Sequence, residues 1–208
     1  RASLLVSDLG TRPMKIQAQT FERLVLGQLY ETTGVRENQD ILDHYIAVIE
    51  GKTGSLIAAA GEYGSLLAGA SEEVIQMLAT YGELVGVAFQ LADDVIDIVS
   101  DGASSGKTQG TDLREGVPTL PTILLNRAAE AGDESARKIR ELINADLSSD
   151  EALAAAVSAL AAHPVTQEAW QIAYDWADRA IAAIAPLPDS TAKAALESFA
   201  HAVVHREG

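Results

Sequence analysis

The stretch from Ser71 to Ser100 constrains this chain more than any other. Ser71 followed by Glu72 and Glu73 is a helix start, with a capping hydroxyl and acidic side chains set against the positive end of the helix dipole. The residues that follow are mostly apolar. Their polar exceptions fall on one side: with Asp93 at zero and about 100° per residue, Asp97 lies at about 40°, Gln90 at about 60° and Asp94 at about 100°. Asp101 would join them if the helix ran that far. Leu84, Phe89, Leu91, Val95, Ile96, Ile98 and Val99 take the rest of the circumference. A mostly apolar helix with a single acidic stripe belongs inside a helical bundle, with the stripe turned to a polar cavity.

Asp93, Asp94 and Asp97 repel one another at this spacing, and burial without compensation would drive protons onto them. A divalent cation resolves the conflict. Carboxylate oxygens without thiolate or imidazole select Mg²⁺, Mn²⁺ or Ca²⁺ over Zn²⁺, and Mg²⁺ commonly shares its shell between carboxylates, water and phosphate oxygens. A solvated acidic helix face is the competing reading, and spacing alone leaves both open. Gly82 and Gly86 sit on the same face, where they either make room for a substrate or let a neighbouring helix approach closely.

The remaining sequence is helical in pattern. Pro13 starts a helix through Thr33, with Ile16, Leu24, Leu26 and Leu29 at roughly helical spacing and Gly34 beyond its end. Another begins near Asp40, carries Ile41, Tyr45, Val48 and Ile49, is interrupted or kinked over Gly51–Gly54, and resumes from Ser55 to Ala70. Asp101 to Gly116 reads as a surface loop, and Pro118 restarts helix. Later helices are predicted over Asp133–Ala145, from a capping box of Ser148 with Glu151, after Pro164, and over Asp189–Arg206. Only 5% of residues are aromatic while 48% are hydrophobic, and alanine is abundant. That composition favours close-packed helices over sheet. We expect an all-α single domain over residues 1–208.

The net charge of −15 repels nucleic acid and anionic lipid, so an anionic substrate needs a cation or a few local lysines. With no cysteine there is no disulfide framework and no thiolate metal site, as suits a reducing cytoplasm. No uninterrupted apolar run reaches the roughly 18 residues of a membrane span, and no stable membrane insertion is expected.

Gly86 to Asp97, reading Gly-Val-Ala-Phe-Gln-Leu-Ala-Asp-Asp-Val-Ile-Asp, closely resembles the second aspartate-rich motif of the trans-isoprenyl diphosphate synthases, the polyprenyl synthetase family. Gly106-Lys107-Thr108-Gln109-Gly110-Thr111-Asp112-Leu113-Arg114-Glu115-Gly116 resembles the loop after that motif. Pro118-Thr119-Leu120-Pro121 is similar to the family's next helix start. Gly51-Lys52-Thr53-Gly54 resembles its Lys-Thr pair at a helix break, and the segments from Leu187 and to Arg206 resemble its C-terminal region.

This resemblance implies an antiparallel helical bundle of the isoprenoid synthase type around a deep cavity, usually homodimeric, lacking here the family's N-terminal helices. It implies a Mg²⁺-dependent prenyl transfer that condenses an allylic diphosphate with isopentenyl diphosphate to a longer trans-polyprenyl diphosphate. Asp93, Asp94 and Asp97 would hold Mg²⁺ on the allylic diphosphate. Lys52, Thr53, Gln90 and Lys107 would contact its oxygens, with Lys52, Lys107 and Gln90 catalytic and Phe89 beside them in the substrate site. Val117 stands where the family often has lysine. The family's first aspartate-rich motif has no counterpart in these residues, so the chain is expected to carry the allylic half-site and to be inactive alone. A noncatalytic or half-site subunit of a heteromeric synthase is the alternative, and a terpene cyclase fits the Lys-Thr and Phe-Gln motifs less well.

Other motifs carry less. Gly102 to Thr108 is one residue short of a phosphate-binding P-loop and follows a helix where that loop needs a strand. His201 and His205 are one helical turn apart but lack an evident third ligand and read as surface histidines. Trp170, Tyr174 and Trp176 have the spacing of residues split between core and rim.

Overall fold

The structure is a computed structural model that describes residues 1–100 and 109–206. The described residues form helices and no strand: α1 (Ala2–Ser7), α2 (Thr11–Thr33), α3 (Ile41–Ile49), a π-helical turn (Glu50–Gly54), α4 (Ser55–Leu67), α5 (Glu72–Val99), α6 (Thr111–Glu115), α7 (Leu120–Glu130), α8 (Glu134–Ile143), α9 (Asp150–Ala161), α10 (Pro164–Ala183) and α11 (Thr191–Val204). Contacts divide them into two compact units, one of residues 1–90 and 175–203, the other of residues 91–100, 109–174 and 204–206.

Several helix starts follow the sequence signals. Asp40 accepts hydrogen bonds from the Leu42 and Asp43 amides and opens α3. The Ser71 hydroxyl accepts from Val74 N at the head of α5, and Ser190 does the same for Lys193 N in α11. Two expectations need correction. The cap of α9 is Ser149, which accepts from Ala152 N, and the reciprocal capping box lies instead at Thr119 and Thr122 before α7. The expected loop up to Gly116 contains the five-residue α6, which Gly110 leads into with a left-handed backbone. A side chain at Gly110 would also strike Val157 and Leu153, so glycine is required there twice over.

In the first unit the chain does not break at Gly51–Gly54. It widens into a π turn and passes directly into α4, with the Ser55 hydroxyl donating to the Gly51 carbonyl at 2.6 Å. Such single π turns insert one extra residue into a helix and recur at functional sites. Glycine contacts hold this one. A Cβ on Gly51 would stand 2.9 Å from Gly27 Cα of α2, and one on Gly86 of α5 would stand 2.7 Å from Gly54 Cα. Gly82 faces the Ile57 carbonyl in the same way, at 2.6 Å. Close packing, rather than room for a substrate, is therefore what Gly82 and Gly86 provide. Ile16, Val48, Ile49, Ala58 and Ile75 are buried in this unit.

The second unit buries Leu120, Ile123 and Leu125 of α7 with Ala136, Leu153 and Leu160. Contacts join α7 to α8, α8 to α9 and α6 to α9. His163, 7% exposed, is locked there: its Nδ1 accepts from Val165 N at 3.3 Å while Nε2 lies 3.0 Å from the Ser135 hydroxyl. Helix α5 is long and apolar enough, by length and composition, to cross a membrane, yet Val85, Val87, Ala88, Leu91 and Val95 along it are wholly buried in the fold.

Two stability measurements follow. Gly82→Ala forces a methyl against backbone and is expected to cost about 1–3 kcal/mol, whereas Gly64→Ala in α4, with open space around it, is neutral or stabilising; denaturant titration of both variants checks the difference. The Glu50 carboxyl is pushed up, first by burial and then by the charge of Glu83. The folded state therefore keeps a proton that the unfolded state loses as pH rises through the ordinary glutamate range, and stability falls across that window. Glu50→Gln should raise the melting temperature at pH 7 more than at pH 4.

Candidate functional site

The π turn presents Lys52 and Thr53 between two buried glycines. The Lys52 ammonium is held 2.6 Å from a Glu31 carboxylate oxygen at the end of α2, both side chains being partly exposed. The Thr53 hydroxyl lies 3.3 Å from Gln90 Oε1 and donates to it. That contact turns the Gln90 amide oxygen toward Thr53. Phe89, next to it on α5, is half-buried.

Arg23 of α2 grips Glu83 of α5 with two hydrogen bonds, Nη2 to Oε1 at 2.6 Å and Nη1 to Oε2 at 3.1 Å. Its Nη2 also lies 3.5 Å from the carbonyl of Glu50, the first residue of the π turn. A two-pronged pair of this kind fixes geometry as well as charge. Between α2 and α4 runs an open apolar groove of about 350 Å³, lined by Gln17, Thr20, Phe21, Leu24, Leu56, Ala59, Ala60 and Tyr63.

In the second unit the three aspartates of α5 have different surroundings. Asp94 is 4% exposed, and its Oδ2 accepts from the Leu120 amide at 3.0 Å. It thereby satisfies the first amide of α7, while Thr119 and Thr122 close the rest of that helix start. The positive end of α7 and its N–H donor both favour an acidic oxygen at this place. Asp97 plays a related part for α6: its Oδ2 lies 3.3 Å from the Asp112 amide, a bond that Gly110 has no side chain to supply. The Asp97 carbonyl also accepts from Gly110 N at 2.9 Å. Asp93 is partly exposed and has the Arg206 guanidinium at 3.5 Å.

Among the described residues no three His, Cys, Asp or Glu side chains converge closely enough to hold a metal unaided. Asp93 and Asp97 remain one turn apart on α5, both half-exposed and both offering hard carboxylate oxygen. That donor set fits a hard divalent ion whose other ligands come from phosphate and water. Lys107 lies outside the described residues, as do Gly106 and Thr108 of its motif and the P-loop-like segment.

Glu31, Arg23, Glu83 and Arg206 were not singled out by the sequence. Their pairing depends on which helices meet, which no local spacing encodes. The aromatic residues of α10 are half-buried as expected: Trp170 stacks on Tyr174 at 5.7 Å, Tyr174 on His205 at 5.0 Å, and Arg179 covers Trp176 at 3.8 Å. His205 is thus engaged with a ring.

The polyprenyl synthetase family model matches residues 1–160. The nonaprenyl diphosphate synthase of Mycobacterium tuberculosis is 42% identical over 207 residues, which cover 100% of this chain and 61% of that protein. The octaprenyl diphosphate synthase of Escherichia coli is 33% identical over the whole chain and 64% of its own length. Among solved structures, the geranylgeranyl pyrophosphate synthase of Corynebacterium glutamicum, in complex with calcium and isoprenyl diphosphate, superposes with a TM-score of 0.87 at 40% identity, over 100% of this chain and 63% of that one. This chain therefore spans a little over three fifths of the relatives it matches. The helical architecture is that of the isoprenyl diphosphate synthases, and the chain belongs to the polyprenyl synthetase family.

Proposed function

We propose that this chain carries the groups that hold the allylic diphosphate in trans-prenyl chain elongation. The reaction breaks the allylic carbon–oxygen bond, the bonding pair leaving with the diphosphate. The double bond of isopentenyl diphosphate then joins the allylic carbon, and the condensed cation gives a proton to the released diphosphate as the new double bond forms. The difficulty lies in the departing charge, so the residues that matter are those that donate to diphosphate oxygens.

The observation that carries this reading is the π turn. It exposes an ammonium and a hydroxyl on adjacent residues, and the hydroxyl orients the amide of Gln90. Lys52 would exchange Glu31 for the diphosphate, Thr53 and Gln90 would position it, and Lys107 would add a further cation by the resemblance. Asp93 and Asp97 are the carboxylates we assign to Mg²⁺, with Asp94 completing the motif from its buried position. Mg²⁺ bound there would supply positive charge to the leaving diphosphate. The largely apolar groove of α2 and α4 suits an isoprenoid tail, which would bury hydrocarbon against Phe21, Leu24 and Leu56.

A homodimer belongs to the same reading, supported by exposed apolar side chains at Leu4, Leu5, Val25 and Leu29 along α1 and α2. So do isopentenyl diphosphate as the second substrate and a cytoplasmic site of action.

Thermal unfolding with and without Mg²⁺ and dimethylallyl thiolodiphosphate, a slow-reacting analogue, tests the assignment. The pair should raise the melting temperature, by an amount that grows with analogue concentration. Asp93→Asn should lose most of that rise; no rise in the wild type, or an undiminished one in the variant, contradicts the reading. The aspartates should also separate without ligand. Asp94→Ala should cost about 1–3 kcal/mol, since it strands the buried Leu120 amide, while Asp93→Asn should stay within about 1 kcal/mol, as for an exposed pair. Urea titration of both variants measures this.

A further inference from the structure

We propose that Arg23 and Glu83 are positioning residues that clamp the π turn and so fix Lys52 and Thr53 for diphosphate; this rests on the reading given above. The turn lies between the two residues that form the pair. On one side the Arg23 carbonyl stands 2.9 Å from where a Cβ of Gly51 would be. On the other, the Glu83 carbonyl and Cγ stand 3.2 and 3.4 Å from the corresponding point on Gly54. Gly51 and Gly54 immediately bracket Lys52 and Thr53. The same two residues are then tied to each other by two charge-assisted hydrogen bonds, and the guanidinium reaches the Glu50 carbonyl as well.

This arrangement does more than join two helices. A π turn makes poorer use of its backbone than an α-helix and relaxes unless its surroundings specify it. Glycine contacts set how near α2 and α5 approach the turn, but glycine has no side chain to resist sliding along a helix axis. The Arg23–Glu83 pair supplies that resistance, because its planar fork matches the carboxylate in one register. A register shift would move Lys52 and Thr53 together, and Thr53 would lose Gln90. Arg23 touches neither the diphosphate nor the reacting carbon; it acts through the turn.

Calorimetric binding of dimethylallyl thiolodiphosphate with Mg²⁺ to the full chain, combined with amide hydrogen exchange, tests this. Arg23→Ala should weaken binding by roughly tenfold, in the range seen when an outer partner of a ligating group is removed, and should speed exchange in the Glu50–Gly54 turn while leaving α7 and α8 unchanged. Arg23→Lys, a milder change that folds more surely, should fall between, since lysine cannot make the two-pronged contact. Wild-type affinity and wild-type exchange in Arg23→Ala overturn the clamp, as does a loss that spreads evenly over the chain. If the wild type itself does not bind the analogue, the diphosphate reading fails and takes the clamp's purpose with it. Binding by the wild type with no response to Arg23 defeats the clamp alone.

Discussion

Two helices approach a third this closely only where side chains are missing from the contact, and the first unit depends on that condition. Gly27 against Gly51 and Gly86 against Gly54 bring α2 and α5 onto the π turn at backbone distance. The polar contacts around the turn follow from the approach. It lets Thr53 reach Gln90, brings Glu31 to Lys52, and lets one arginine span from α2 to Glu83. With larger side chains at these glycines the helices would stand further apart, and each of those contacts would be out of range.

The second unit uses its carboxylates differently. Helices α6 and α7 both begin just after a turn, with amides to satisfy, and Asp97 and Asp94 accept from them. The acidic motif is thus also a folding device, with the nearly buried Asp94 accepting the first amide of α7. It divides the motif's labour: Asp94 serves α7, Asp97 serves α6, and Asp93 faces the partly exposed guanidinium of Arg206. A hard cation would compete with that guanidinium for Asp93 rather than with the backbone.

Much of this was legible in the sequence, because helix signals are local. The caps at Asp40 and Ser71, the polar stripe of α5 and the irregularity near Gly51 all depend on residues within a turn or two of one another. The cap at Ser149 was misplaced by one residue because Ser148 and Ser149 offer the same hydroxyl, and only the backbone decides between them. The irregularity at Gly51 was expected as a break or kink but is an inserted residue, since glycine spacing marks a departure from α-helix without saying which. The role of Gly82 and Gly86 needed the neighbouring helix. So did Arg23 with Glu83, whose partners are 60 residues apart in sequence, and Arg206 with Asp93.

The metal-assisted diphosphate site proposed for this chain is tested by its affinity for dimethylallyl thiolodiphosphate as a function of Mg²⁺ concentration, compared between the wild type and Lys52→Ala. Affinity should climb with Mg²⁺ and be markedly weaker throughout when Lys52 is removed. An affinity indifferent to both Mg²⁺ and Lys52 would contradict it.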